Sequence, residues 1–418
     1  MKVSEMAEGL VGSEIIKLAG EIKALEAEGQ SIYNFTIGDF DANIFPLPKA
    51  YKQAITDAYN DNQTNYPPAN GMLPLRKAAA KFTKKTCDLD YTADEFLVAG
   101  GSRPLIFATY SALVDPNDKV LFPVPSWNNN HYTHLHRANS ILIETKPENN
   151  FMPSLEDLAP HLSSSSLLAL CSPLNPTGTV FSEEQLRPIC EAVLVENKKR
   201  EASNEKPLYI LFDQIYQALC HDASHIDPIS LVPELRPYCV YIDGLSKAFA
   251  ATGVRVGYAF GPQPIINKMK AILGHVGAWA PKAEQVASAN FLNQENEVDE
   301  FLTDFKQQIY LRLNKLHEGF SSLKNEGFPV DSIKPQAAIY LTVKLDLLDS
   351  VTGKNNGLKS IADVCAHLLK EAKLAIVPFK AFGASETSPW FRISVGTCKV
   401  DELDDVLTGL KTVLSKLK

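Results

Sequence analysis

The chain has 418 residues, enough for two domains, and its 45% hydrophobic and 22% charged residues are the balance of an ordinary globular protein. With 41 basic against 49 acidic side chains the formal charge is -8, an excess that argues against a nucleic-acid footprint. Seven cysteines without a C-x-x-C pair, an acidic N-terminus and no apolar run near the roughly 20 residues of a membrane helix lead us to expect a cytoplasmic protein.

In chain order, Ile15, Ile16, Ala19, Ile22 and Leu25 recur at helical spacing, which predicts a helix over 13–28 stopped by Gly29. An extended stretch over 32–37 ends at Gly38-Asp39. Short apolar runs at 96–98, 119–122, 140–144, 167–171, 208–212, 238–242 and 256–260 read as strands separated by helical patterns. The fold class expected is α/β: a mostly parallel seven-stranded sheet sandwiched by helices, with ligands gathering beyond the carboxyl ends of its strands. Further on, Val298, Phe301, Leu302, Phe305, Ile309, Leu313, Leu316 and Phe320 form one helical stripe, predicting a long helix that links two domains. Residues 326–418 read as a smaller α+β unit packed with the N-terminal segment. The division expected is 1–46 with 301–418 as the small domain and 47–300 as the large one. The tracts 163–166, 198–200 and 352–357 read as solvated loops, and no internal repeat is evident.

Lys247, in Gly244-Leu245-Ser246-Lys247-Ala248-Phe249, follows an apolar strand within a run of small residues, with Arg255 shortly after. A lysine so placed can lie in a semi-dry pocket where desolvation frees its amine as a nucleophile, although alone it reads equally as a surface residue. Gly100-Gly101-Ser102-Arg103 opens a helix, where backbone N–H groups and the Ser102 hydroxyl suit an anion, or form a simple turn. In Ser172-Pro173-Leu174-Asn175-Pro176-Thr177-Gly178, two prolines stiffen the turn and aim the Asn175 amide. Asp213 ends a buried strand with Tyr216 close behind. A carboxylate there needs a cation or donor, such as a protonated pyridine nitrogen, unless it caps a helix. Arg392, flanked by Trp390, Phe391 and Ile393, calls for a planar anionic partner. Trp127 offers an aromatic face for stacking. These are the parts needed to hold pyridoxal 5'-phosphate: a lysine for its aldehyde, an acid for its ring nitrogen and anion donors for its phosphate. His131, His134 and His136 lack a cysteine or carboxylate at ligand spacing, so no metal is expected.

Over residues 32–395 the ordered set Gly38, Tyr66 in NYPPANGMLPLR, GGSR, Trp127, NPTG, D-x-x-Y, SKAFAATGVRVGY and WFRISVG resembles the fold-type I, class I/II pyridoxal-phosphate aminotransferases of the aspartate aminotransferase superfamily. The resemblance implies Lys247 as internal aldimine and proton shuttle, and Asp213 as partner of the pyridine nitrogen. It implies Tyr216 and Asn175 at the phenolic oxygen, Trp127 on the ring, and Gly101, Ser102, Ser246 and Arg255 at the phosphate, with Arg103 also among the cofactor-binding residues. Arg392 would clamp the substrate α-carboxylate with Asn175 and the backbone of Gly38. Tyr66 would reach the phosphate of a neighbouring subunit, which implies a homodimer with shared active sites and no nucleic-acid or membrane partner. The reaction implied is ping-pong transamination between an L-amino acid and a 2-oxo acid. A lyase or synthase using the same residues and quinonoid intermediate is the alternative, separable because it needs no 2-oxo acid. A silent ligand-sensing scaffold has no use for Lys247, Asp213 and Arg392 together, and a dinucleotide-binding dehydrogenase would carry a G-x-G-x-x-G after a strand. Segment 274–282 lacks the arginine that dicarboxylate-specific relatives present there, and Arg103-Pro104 also departs from the usual pattern. Trp279 and Tyr33 either line an apolar pocket or pack in the core.

Overall fold

The computed structural model describes residues 2–10, 12, 18, 20, 22, 24–25, 27–353 and 356–417. Of the helix expected over 13–28, Ile15, Ile16 and Ala19 lie outside the described residues, while Ile22 is helical and buried. In the tract 352–357, Lys354 and Asn355 also lie outside them, and Thr352 ends a short helix, Asp349–Thr352.

The chain enters through a two-residue strand, β1 (Tyr33–Asn34), and then builds a large sheet. Its strands are β2 (Phe96–Ala99), β3 (Lys119–Val124), β4 (Asn139–Glu144), β5 (Leu167–Cys171), β6 (Tyr209–Asp213), β7 (Cys239–Gly244) and β8 (Gly257–Phe260). Their spatial order is β2-β8-β7-β6-β5-β3-β4. The strands β3 to β7 pair in parallel, while β8 is antiparallel to both of its neighbours. The apolar runs are continuous because both faces are covered. Side chains alternate between two cores: Leu168, Leu170, Ile210 and Phe212 pack on one face with Tyr51, Phe82 and Ile189. On the other, Leu167, Ala169, Leu211 and Val240 pack with Leu105, Ile106, Met269 and Leu273. The crossover helix Glu183–Ala202 begins at Ser182, whose hydroxyl accepts from the Gln185 N–H in a capping box.

The second unit contains β9 (Val330–Ser332), β10 (Tyr340–Leu345), β11 (Leu374–Ala375), β12 (Val377–Pro378) and β13 (Trp390–Ser394). Four of these form an antiparallel sheet in the order β12-β13-β10-β9, and β11 pairs in parallel with β1. The N-terminal segment is thereby stitched to the C-terminal part of the chain. Its Phe35 and Phe45 are buried with Phe305, Ile309, Leu341, Val343 and Phe391, whereas Leu47 and Tyr51 pack with the large sheet. The stripe read from Val298 to Phe320 is one helix, Glu295–Asn325. Val298 packs into the large core, Phe305 into the small one, and Phe301 touches both. This packing supports domain boundaries at 46/47 and 300/301, which we propose as the folding units.

Phe305 joins three aromatic neighbours, with ring centroids 5.1 Å from Phe301, 5.2 Å from Phe40 and 5.4 Å from Phe45. Phe305→Ala leaves a cavity where the N-terminal segment meets the long helix. A loss of about 3–5 kcal/mol is expected, read as a lower urea midpoint at unchanged slope.

Candidate active site

The carboxyl ends of β5, β6 and β7 open on a cavity of about 310 Å³ between the two sheets. Every sequence-predicted residue lines it except Gly101, which stands behind it, and Tyr66. Asp213 ends β6 opposite Cys171 at the end of β5, and Lys247 sits in the short helix Leu245–Ala248 beyond β7.

The Lys247 Nζ donates to the Gly38 carbonyl at 2.6 Å and stands 5.8 Å from the ring centres of Phe40 and Tyr216. Burial pulls this amine from its ordinary 10.5 down to about 8. The carboxylate of Asp39 opposes that shift, and the cations of Arg392, Arg103 and Arg255 add to it. Asp39 is itself held by Thr252, whose hydroxyl donates at 2.6 Å, and by the N–H of Phe40 at 2.8 Å. Asp213 moves the other way: burial raises its carboxyl from 3.8 to about 6, against a single stabilising N–H from Ile215 at 3.1 Å. The helix-cap alternative is not realised, because the next helical turn, Gln217–Leu219, has Tyr216 at its N-cap position, without a side-chain capping bond.

Arg392 lies on β13 with only 1% of its surface exposed. Its Nη1 donates to the Asn175 side-chain oxygen at 3.1 Å and its Nη2 to the Thr36 carbonyl at 2.6 Å, while its Nε has no partner among the described residues. The rings of Tyr340 and Phe382 flank it, with centroids 4.7 Å and 4.9 Å from the guanidinium carbon. These acceptors are neutral, so a buried positive charge faces the cavity with no ion pair to a carboxylate among the described residues. Asn175 is carried by the turn after β5, which is locked onto β10 by the Ala337 N–H to the Gly178 carbonyl at 2.9 Å and the Thr342 hydroxyl to the Thr177 carbonyl at 2.8 Å.

At the opposite wall, Gly101 adopts φ +97° and leads into the helix Ser102–Leu113. Arg255 donates to the carbonyls of Gly100 and Thr252, both at 2.8 Å, which fixes its side chain beside that helix start. Gly257 makes the approach possible: a Cβ there would lie 2.5 Å from the Gly101 carbonyl carbon and 2.7 Å from the Ser102 nitrogen. Ser246 is buried in the same wall. Trp127 is half-buried, with the exposed Arg103 guanidinium 5.4 Å from its ring centre. The donors at this wall could hold a phosphate, and the Trp127 face a flat ring.

Tyr66 is 83% exposed and packs edge-on against Trp279 at 5.4 Å, in a groove outside the cavity. Trp279 and Tyr33 do not line the cavity; Tyr33 belongs to β1. His134 bonds the Met6 carbonyl and His136 bonds Ser111, and no metal-holding cluster occurs among the described residues. Sequence reasoning missed Asp39, Thr252 and Phe382. It also missed Tyr340, whose hydroxyl lies 2.6 Å from that of Tyr216. Only Asp39 carried a signal, being adjacent to Gly38.

The sequence model of the family "Aminotransferase class I and II" matches residues 30–410. An aspartate aminotransferase of Rhizobium meliloti strain 1021 is 29% identical over 409 residues, spanning 97% of this chain and 94% of that protein. The aspartate aminotransferase of Bacillus subtilis strain 168 is 26% identical over 419 residues, the full length of both. Among solved structures, an aspartate aminotransferase from Rhizobium meliloti superposes with a TM-score of 0.87 at 28% identity, covering 99% of each chain. That of Thermus thermophilus with maleate shares the fold at a TM-score of 0.87. These named relatives are aminotransferases, which does not favour the lyase or synthase alternative.

With its amine held near 8, Lys247 is expected to react with trinitrobenzenesulfonate in the cofactor-free protein with a midpoint about two pH units below that of surface lysines. Peptide mapping across pH checks this, and a midpoint near 10.5 would contradict the described burial.

Proposed function

Because this chain belongs to the class I and II aminotransferases and so moves an amino group between an amino acid and a 2-oxo acid, we propose that it does so with pyridoxal 5'-phosphate held in the cavity at Lys247. The observation that carries this reading is one cavity lined by a lysine with a depressed pKa, a half-buried aspartate with a raised one and a buried arginine that has no carboxylate partner among the described residues. The residues fit the cofactor. Lys247 would hold its aldehyde carbon, Asp213 its ring nitrogen, Tyr216 and Asn175 its phenolic oxygen, and Trp127 its ring face. Gly101, Ser102, Arg103, Ser246 and Arg255 would hold its phosphate. When bound, the cofactor supplies a cationic aromatic ring that draws electron density from a bond at the substrate's Cα.

The chain's own residues account for the rest. Arg392 would take the substrate α-carboxylate, which converts a buried, unpaired charge into a bidentate pair, with Asn175 and the Gly38 backbone completing the seat. Lys247, a base with pKa about 8, would carry the α-proton on Nζ; its unprotonated fraction rises as pH passes upward through 8. Burial raises Asp213 to about 6, and a cationic partner would pull that value down and hold the carboxylate charged at neutral pH. Pairing at Asp213 and Arg392 is thus stronger than either could have in water, because both lie out of solvent.

The exposed Tyr66 beside Trp279 supports a second copy of the chain as the neighbour whose phosphate site Tyr66 completes, in a homodimer. No disulfide joins cysteines among the described residues, and no helix among them is long and apolar enough to cross a membrane; cysteines left unbridged support a reducing, cytoplasmic setting.

Lys247→Ala is expected to remove the visible absorbance of the bound cofactor and at least about 1,000-fold of turnover. Retention of both would end this reading. Arg392→Ala is expected to raise KM for the amino acid about 100-fold, through lost charged hydrogen bonds, while leaving the absorbance of the resting protein in place. Turnover should stop when the 2-oxo acid is withheld; sustained product release without one would instead indicate elimination.

A further inference from the structure

Tyr340 opens β10 and is 1% exposed, yet its hydroxyl has a single hydrogen-bond partner among the described residues, the hydroxyl of Tyr216 at 2.6 Å. The two rings meet edge-on, 5.5 Å apart at 71°. Gly38 closes the space above: a Cβ there would lie 2.7 Å from the Tyr340 oxygen and 3.7 Å from Nη1 of Arg392. The ring of Tyr340 therefore carries a cation on its face while its hydroxyl touches the Tyr216 hydroxyl assigned above to the cofactor's phenolic oxygen.

Two hydroxyls in contact share one proton between them, so one donates and the other accepts. Burial raises both hydroxyls, Tyr216 further than Tyr340; the guanidinium 4.7 Å from the Tyr340 ring centre offsets part of the rise there against Cys171 and Asp39, which leaves Tyr340 the better donor. Once Tyr216 accepts from Tyr340, its own proton is free to point into the cavity. Were the direction reversed, Tyr216 would spend that proton on Tyr340 and face the cavity as an acceptor only.

We propose that Tyr340 is a positioning residue that donates to Tyr216, turns the Tyr216 proton toward the cofactor's phenolic oxygen, and couples that donation to the charge on Arg392. The inference rests on the cofactor assignment of the preceding section. A carboxylate seated on Arg392 neutralises the cation on the Tyr340 ring, weakens the donation to Tyr216, and in turn weakens the donation of Tyr216 to the cofactor. Binding at one end of the cavity is thereby reported at the other through two phenols. Cooperative strengthening along a hydroxyl chain in a low-dielectric site makes each link felt by the next.

The test is a pH titration of the cofactor's visible absorbance in the holoenzyme, with and without 3-phenylpropionate as an unreactive carboxylate. A donor at the phenolic oxygen favours its ionised form, so Tyr340→Phe is expected to move the titration midpoint upward by about 0.5 to 1 unit, a 3- to 10-fold change in proton affinity. The same variant should lower kcat by about 3- to 10-fold with KM for the amino acid within about 2-fold, and should shrink the shift that 3-phenylpropionate produces. In the Tyr216→Phe background, Tyr340→Phe should add no further shift. Replacing Tyr340 with 3-fluorotyrosine, a stronger acid of nearly the same shape, should move the midpoint down and keeps the question answerable if the phenylalanine variant folds poorly. An unmoved midpoint in both Tyr340 variants, or additive shifts in the double variant, overturns the inference alone. Wild-type protein that shows no titrating band overturns it together with the cofactor assignment.

Discussion

A guanidinium withdrawn from water, and held only by neutral groups, organises this molecule. Arg392 comes from β13, its carbonyl partner from Thr36 in the N-terminal segment, its amide partner from Asn175 in the large unit, and its aromatic walls from Tyr340 and Phe382. An unpaired buried charge is expensive, and carbonyl dipoles offset only part of the expense. The arrangement is therefore stable only while distant parts of the chain converge on one point. That requirement explains why residues before β2 fold with residues after the long helix, and why the turn after β5 is fastened to β10.

The same dryness sets the protonation of the cavity. Burial raises Asp213 toward 6 and lowers Lys247 toward 8, so acid and amine are both pushed toward neutrality by one cause. The linkage to stability follows. Between about pH 3.8 and 6 the native state holds a proton on Asp213 that the unfolded chain releases, so stability from this group falls as pH rises. Between about 8 and 10.5 the unfolded chain binds the proton that native Lys247 has lost, so stability from this group rises with pH. In the working range both residues are held against their preference, the usual mark of a site awaiting charged ligands.

Much of this was legible in the sequence, for identifiable reasons. Strands β3, β5, β6 and β7 are apolar on both faces while β4, at the sheet edge, is not, and all five match the expected ranges to within a residue or two. The 31-residue helix appears as an unbroken stripe because one face stays buried throughout. Lys247, Asp213 and Arg392 stood out because a charged residue beside an apolar strand has few innocuous explanations. The reversed direction of β8 was not legible, since strand sense depends on the path of the connection through Leu245–Ala248 and not on strand composition. Tyr340 and Phe382 escaped because an aromatic residue in an apolar run looks like any core residue; only the three-dimensional neighbours of Arg392 mark them. Asp213 could be read as a helix cap until the structure showed its single bond to the Ile215 N–H.

The helix Glu295–Asn325 enters one core at Val298 and leaves the other at Leu323, with Phe301 shared between them. At 1.5 Å per residue it is a rod of about 46 Å, of which about 36 Å lies beyond Phe301. A tilt of only about 5° at that fulcrum sweeps its free end through about 3 Å, comparable to a hydrogen-bond length. The small unit is thus carried on one continuous rod, so any displacement at residue 301 is multiplied on the far side of its hydrophobic interior.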